Sequence, residues 1–331
     1  MNREVKFVSC LGPVLARYLE LKLSVGLKFD SAARVLLHLD RFLSANTQAP
    51  EEFDVHSFDA WCRTFQHMCS NTRRAWMQII HLFCLYRRRT EPGCFLPDPA
   101  QFPPRSPSLR PYIFEEQEIL HLLDAAQALK PHPMGPLRRE GYRLALVLLY
   151  TSGLRRGEVL RLTLGDYSPT EHTLLVRESK FYKSRLIPLS LDGIRELDVY
   201  LAARRAHHLP MEAASSLLIQ GQKDSYSGGG IYQGLRDLFM AAGIRTATGG
   251  TPRVHDLRHT FAVHALLRWY REGADLGAKL PFLSAYMGHV SPASTEYYLP
   301  FVPALADAAS EKFAEHCKPL LDSFQELGGT P

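Results

Sequence analysis

Tyr297 and Tyr298 stand side by side in the stretch MGHVSPASTEYYLP, residues 287–300, and Tyr298 follows the Gly288–His289 pair by nine positions (298 − 289). A phenol has a pKa near 10, so at neutral pH only about one in a thousand is ionised. Making one a nucleophile takes roughly 4 kcal/mol of help from a base or from cations. The chain offers both. Arg155 and Arg156 follow a Gly-Leu turn in TSGLRRGEVLRL, where helix N–H groups and an arginine fork can converge on an anion. Lys180 and Lys183 lie in ESKFYKSRLIPL, on a turn between two strand-like runs, from which a lysine can reach into a groove and donate a proton. His255, Arg258 and His259 lie in VHDLRHTFAVHAL, at the start of an apolar-periodic helix. The i to i+3 spacing sets His255 and Arg258 on one face. An imidazole beside a guanidinium suits proton transfer next to the charge of a developing phosphorane. Each piece also has a plainer explanation: a packed aromatic pair, a charged helix start, a solvated hairpin tip, a capping histidine. His264 reads as structural. Together the four pieces contain what a phosphodiester would need.

These residues must be carried by elements. From about residue 12 to 92 the pattern is helical. In NTRRAWMQIIHLFCLYRRRT, residues 71–90, the side chains of Trp76, Ile79, Ile80, Phe83 and Cys84 share one face. That helix carries Arg73 and Arg74 at one end and Arg87, Arg88 and Arg89 at the other. Cations favour a helix C-terminus, but one would suffice, so these five are also candidates for a phosphate-facing surface. Residues 94–112 are rich in proline and read as an extended linker. Beyond it come helices over 114–127, 136–153 and 155–162. Two strands, 172–178 and 185–190, flank the lysine turn. Further helices span 191–206, 230–242, 255–272, 280–288, 292–299 and 304–317. SGGG at 227–230 follows no strand and precedes no Lys-Ser/Thr, so a phosphate loop is not expected.

Bulk properties narrow the classes. The 331 residues allow two domains, and a net charge of +5 permits a nucleic-acid partner without demanding one. The apolar run LALVLLY, 144–150, is too short to span a bilayer. The first ten residues do not form a signal peptide, so a cytoplasmic protein without a membrane partner is expected. The six cysteines, Cys10, Cys62, Cys69, Cys84, Cys94 and Cys317, contain no CxxC pair, and are expected to be buried or half-buried thiols. A metal-dependent nuclease is disfavoured, because there is no HExxH and no carboxylate cluster.

The order Arg, Lys, His-x-x-Arg, Gly-His, Tyr resembles that of the tyrosine recombinases, the phage integrase family. TSGLRRGE, HDLRHTFA and MGH…STEYYL together are specific; any one alone is not. The resemblance implies a mainly α fold with a small β-sheet. It would comprise a helical, DNA-clamping N-terminal domain over 1–95, a linker over 96–112 and an α+β catalytic domain over 113–331. It assigns Arg155, Lys180, His255, Arg258, His289 and Tyr298 to catalysis, with Tyr297 a packing neighbour. Lys183 joins Arg73, Arg74, Arg87, Arg88 and Arg89 as DNA-binding candidates. Position favours Lys180 over Lys183 as the general acid.

The implied function is cutting and rejoining DNA through a 3′-phosphotyrosine, without metal or other cofactor. The implied partner is double-stranded DNA, with a homo- or hetero-tetramer assembled on it through the C-terminal tail. RWYREGADLGAKLPFLSAYMGHVSP and ESKFYKSRLIPLS are similar to transposase-type members from mobile elements that carry several recombinase genes in a row. Met287 stands where leucine is commoner. The segment 273–288 is longer than in Xer-type resolvases, which argues against a chromosome-dimer role. A silent DNA-binding accessory protein and a type IB topoisomerase are the alternatives.

Overall fold

In a computed structural model the described residues are 6–27, 29–45, 53–107, 110–130, 132, 135–177, 184–221, 225–289, 291, 293–301 and 317. Lys180, Lys183 and all of the expected 304–317 helix except residue 317 lie outside them. The chain divides into two compact units, Met1–Leu109 and Arg110–Pro331. Among the described residues no helix is long and apolar enough to cross a membrane.

The first unit is helical: α1 (Gly12–Ser24), α2 (Asp30–Ala45), α3 (Val55–Arg63) and α4 (Ser70–Arg87). Its core gathers Leu15, Leu36, Leu39, Trp61, Phe65, Ile80 and Phe83. The expected face of α4 is real: Ile80, Phe83 and Cys84 are buried, and Trp76 and Ile79 pack against the core at its edge. Trp61 cannot bury its indole N–H without a partner, and it donates to His38 Nδ1 at 2.9 Å. The buried Asp40 carboxylate accepts the Val8 and Ser9 N–H groups at 2.9 Å each, which ties down the start of α1.

The proline-rich segment is not simply an extended linker. Phe102 is buried in the first core, and Arg74 donates to the Pro103 carbonyl at 3.0 Å. His81 Nδ1 lies 2.7 Å from the Pro97 carbonyl oxygen. At the other end Phe114 is buried in the second unit, and its N–H donates to Thr260 Oγ1 at 3.0 Å. Proline supplies no N–H to satisfy, so such a segment can lie on a core without a ladder, and its phenylalanines gain by burial. The cysteine expectation is also corrected: Cys10 and Cys69 are exposed.

The second unit contains α5 (Glu116–Gln127), α6 (Arg138–Thr151), α7 (Arg156–Val159), α8 (Leu191–Ala206), α9 (Gly228–Ala241), α10 (Asp256–Arg271), α11 (Leu276–Met287) and α12 (Ala293–Glu296). A small antiparallel sheet runs β1 (Tyr167–Ser168), β2 (Thr173–Val176), β3 (Arg185–Pro188) in that order. β2 and β3 pair Thr173 with Pro188 and Val176 with Arg185. Strand β1 was not expected; two residues carry no readable period. The mainly α reading with a small sheet holds.

The unit is built around α6, whose Leu144, Ala145, Leu146, Val147, Leu148 and Leu149 are all buried. Gly153 stops α6 in the left-handed region, at φ 58°. Helix α7 has four residues, shorter than expected over 155–162. Helix α11 begins at Leu276, before the expected 280, because the Asp275 side chain accepts the Gly277 N–H at 2.8 Å and caps it.

A methyl group on Gly153 would meet the Phe261 ring at 2.4 Å, on a backbone already at φ 58°. Gly153→Ala is therefore expected to destabilise the protein by about 2 kcal/mol, read as a lower midpoint in denaturant.

Candidate active site

Arg155 caps the start of α7 and closes on a carboxylate three residues along. Its backbone N–H and its Nη1 both donate to Glu158, at 2.9 Å each. This amends the expectation of N–H groups waiting there for an anion: the Arg155 N–H already has one. Glu158 is buried and also takes a bidentate pair from Arg185, at 2.9 and 3.1 Å. Burial alone would push the Glu158 carboxyl up. Hydrogen bonds from Arg185 and from the Arg155 N–H, with the charges of both arginines, outweigh it and hold the carboxyl down at about 2. Arg155 Nη2 reaches on to the Gly288 carbonyl at 3.2 Å.

Arg258 enters from the first turn of α10 and is only 2% exposed. Its Nη1 donates to the Gly153 carbonyl, and its Nη2 to the Met287 carbonyl at 2.7 Å. Burial and the neighbouring Arg155 charge lower its pKa to about 10, which leaves it cationic at neutral pH. His255 is the N-cap of the same helix. It is exposed to solvent overall, yet desolvation of its imidazole by surrounding protein atoms, with the charges of Arg258 and Arg253, lowers its pKa. His259 packs at right angles to it, ring centres 4.8 Å apart.

Helix α11 ends at Gly288, which takes φ 66° and turns the chain so that His289 faces back. His289 Nδ1 lies 2.8 Å from Thr295 Oγ1, and Thr295 is fully buried. The His289 ring stacks on Tyr298 with centres 6.1 Å apart and planes at 21°. Tyr298 is 3% exposed, whereas Tyr297 is 40% exposed. Burial pushes the Tyr298 phenol up, and the charges of Arg258 and Arg155 offset part of that.

The structure thus brings together Arg155, His255, Arg258, His289 and Tyr298. Lys180 and Lys183 lie outside the described residues. Arg156 turns from the site onto the Tyr232 ring, 5.1 Å from its centre. In the first unit the five arginines occupy both ends of α4. Arg74 binds carbonyls of its own unit, Arg87 pairs with Glu91, and Arg88 Nε donates to the Cys94 carbonyl at 3.2 Å. Glu158, Arg185 and Thr295 were not singled out from sequence. Glu158 had a local signal, an acid three residues after the N-cap; the other two had none.

Residues 113–301 match the phage integrase family. The chain belongs to the phage integrase family. It is a tyrosine recombinase by descent. It is 31% identical over 307 residues to y4rB of Sinorhizobium fredii, an integrase/recombinase by name, covering 92% of this chain and 97% of that one. It is 33% identical over 202 residues to the tyrosine recombinase XerD of Mycobacterium tuberculosis, covering 59% of this chain and 58% of that one. Among solved structures, the XerH site-specific recombinase in a post-cleavage complex with its palindromic difH substrate gives a TM-score of 0.62 at 18% identity, over 85% of this chain and 78% of that one. A lambda integrase dimer bound to a COC′ core site gives 0.59 at 18% identity, over 86% and 94%. These two likenesses concern the fold.

Desolvation, then neighbouring charge, holds the imidazoles of His259 and His289 down at about 4, against an ordinary 6.5. Between about pH 6.5 and 4 the unfolded chain therefore binds more protons, so stability falls as pH drops through that window. His259→Asn is expected to flatten this fall, measured as the pH dependence of the denaturant midpoint.

Proposed function

We propose that this recombinase cuts and rejoins duplex DNA site-specifically through a 3′-phosphotyrosine on Tyr298, in the service of a mobile element. The observation that carries the reading is the burial of Tyr298, and not of Tyr297, against His289, within the field of Arg155 and Arg258. Arg155 and Arg258 would hold the non-bridging oxygens of the scissile phosphate and stabilise its pentacoordinate charge. Tyr298 Oη attacks phosphorus, the bond to the 5′ oxygen breaks, and Lys180 protonates that oxygen as it leaves. Burial keeps the phenol neutral beforehand, so its proton must depart during attack. Desolvation and the charges of Arg258 and Arg253 push the His255 imidazole towards its neutral form, and a neutral imidazole can accept that proton. His289 donates a hydrogen bond to the phosphate. Attack by the 5′-hydroxyl of a second strand reverses the step. The phosphotyrosine retains the bond energy, so the cycle calls for no nucleotide or metal.

The XerH and lambda integrase complexes are bound to DNA, and one lambda integrase structure is a tetramer on a Holliday junction. By analogy the present chain would act as a tetramer on double-stranded DNA, alone or with sister recombinases. Its first unit would clamp the duplex, with Arg73, Arg88 and Arg89 as phosphate contacts and Lys183 adding one from the second unit. Arg87, whose charge is paired with Glu91, and Arg74, whose Nη1 is held by two carbonyls, would contribute less; Arg88 commits only its Nε, to the Cys94 carbonyl. Likeness to transposase-type members supports the mobile-element role.

The test uses nicked suicide DNA carrying an end of the element beside the gene, incubated in EDTA and resolved on a denaturing gel. A covalent adduct is expected with the wild type and with Tyr297→Phe, and none with Tyr298→Phe. Arg258→Ala should slow adduct formation by roughly a hundred- to a thousandfold. An adduct that survives Tyr298→Phe defeats the assignment. Clear binding with no adduct, even after the neighbouring recombinases are added, would mark an accessory DNA-binding protein.

A further inference from the structure

Arg185 has no part in the chemistry above, yet its guanidinium meets the segments that carry Arg155 and His289. Nη1 and Nη2 hold both oxygens of Glu158, and Nε donates to the Tyr286 carbonyl at 2.8 Å. A methyl group on Gly288 would come within 2.8 Å of Arg185 Nη1, so the guanidinium lies directly against the Gly-His turn. The carboxylate it grips is the one that fixes the Arg155 N–H and Nη1. Side-chain exposure across this pair is 11% for Arg185 and 2% for Glu158.

Burying such a pair is a poor route to stability, because desolvation cancels much of the attraction and apolar residues of similar volume serve as well. What the pair supplies is direction. A planar fork facing a carboxylate fixes both groups in a way that a lysine or an apolar pair cannot.

We infer that Arg185 is a positioning residue for strand cleavage: through Glu158 it aims Arg155, and through Tyr286 and Gly288 it sets the turn that presents His289. This rests on the recombinase function proposed above. It also carries a chemical consequence. The groups facing Glu158 are Arg155 beside it in the chain and Arg185 from β3, with the charge of Arg258 from α10 within range. Removing Arg185 leaves the burial penalty on the Glu158 carboxyl with less to offset it, so the carboxyl would protonate at a higher pH. The anchor of Arg155 would then weaken at a higher pH than in the wild type, where the carboxyl is held down at about 2.

The experiment compares wild type, Arg185→Met and the double variant Arg185→Met/Glu158→Gln on the suicide substrate. It reads DNA affinity, and adduct formation rate as a function of pH. His255 and His289 titrate in all three proteins, so the informative quantity is the difference from wild type. Arg185→Met should bind DNA within about threefold of wild type and cleave about ten- to a hundredfold more slowly, the range typical of a residue that orients a catalytic group. It should also lose further rate as the pH is lowered, and Glu158→Gln should remove that added acid limb. Wild-type cleavage by Arg185→Met, or a slowing with an unaltered pH profile, overturns the proposal. So does an acid limb that survives Glu158→Gln. If Arg185→Met does not bind DNA, Arg185→Lys is read in the same way, since it keeps a charge near Glu158 but not the second arm or the Tyr286 bond. An absent adduct in the wild type removes the recombinase function and this proposal together; a wild-type adduct unaffected by Arg185 removes this proposal alone.

Discussion

The buried guanidinium of Arg258 is the constraint on which the second unit depends. A charge at 2% exposure is tolerable only when its donors are met. The Gly153 and Met287 carbonyls that meet them are the chain ends left by α6 and α11. Both helices stop at a left-handed glycine, Gly153 at φ 58° and Gly288 at φ 66°, and both glycines lie where a side chain would collide with a neighbour. One cation thus pins two helix ends together and fixes where Arg155 and His289, one or two residues further on, must emerge.

The electrostatic balance that results is lopsided. Arg155 and Arg185 share the Glu158 carboxylate, and Arg258 is held by carbonyls rather than by an acid. Around this positive centre the acid-base groups are kept neutral: burial lowers His255, His259 and His289 and raises Tyr298. Cations in fixed geometry, with uncharged imidazoles and an uncharged phenol around them, suit an incoming phosphate. Its negative charge would be met without reorganisation, and the neutral groups are free to move protons. The unfolding free energy bears the cost, because neutral buried histidines make the folded state weaker in acid.

Much of this was legible in the residues. Helical periodicity located α5, α6, α8, α9 and α10 to within a few residues, because each buries one stripe or, for α6, nearly its whole surface. The errors have physical causes. Helix α7 stops after four residues because its job is to present Arg155 over Glu158 and then turn. Helix α11 starts early because a capping aspartate, and not its apolar pattern, sets its beginning. The proline-rich segment was misjudged since composition does not register that Phe102 has a core to enter.

Sequence alone determined the residue types that could handle a phosphodiester, the helical character of both units and the family, since motifs such as HDLRHTFA and TSGLRRGE are local and survive without coordinates. Only the tertiary structure decided which tyrosine is enclosed and how the arginines are held. Tyr297 and Tyr298 are equivalent in type and adjacent in sequence; one is packed against His289 and the other is open to solvent because successive residues on a helical turn point in different directions. The Glu158–Arg185 pair joins residues 27 apart. No periodicity encodes such a contact, which exists only because β3 returns beside the turn that carries Arg155.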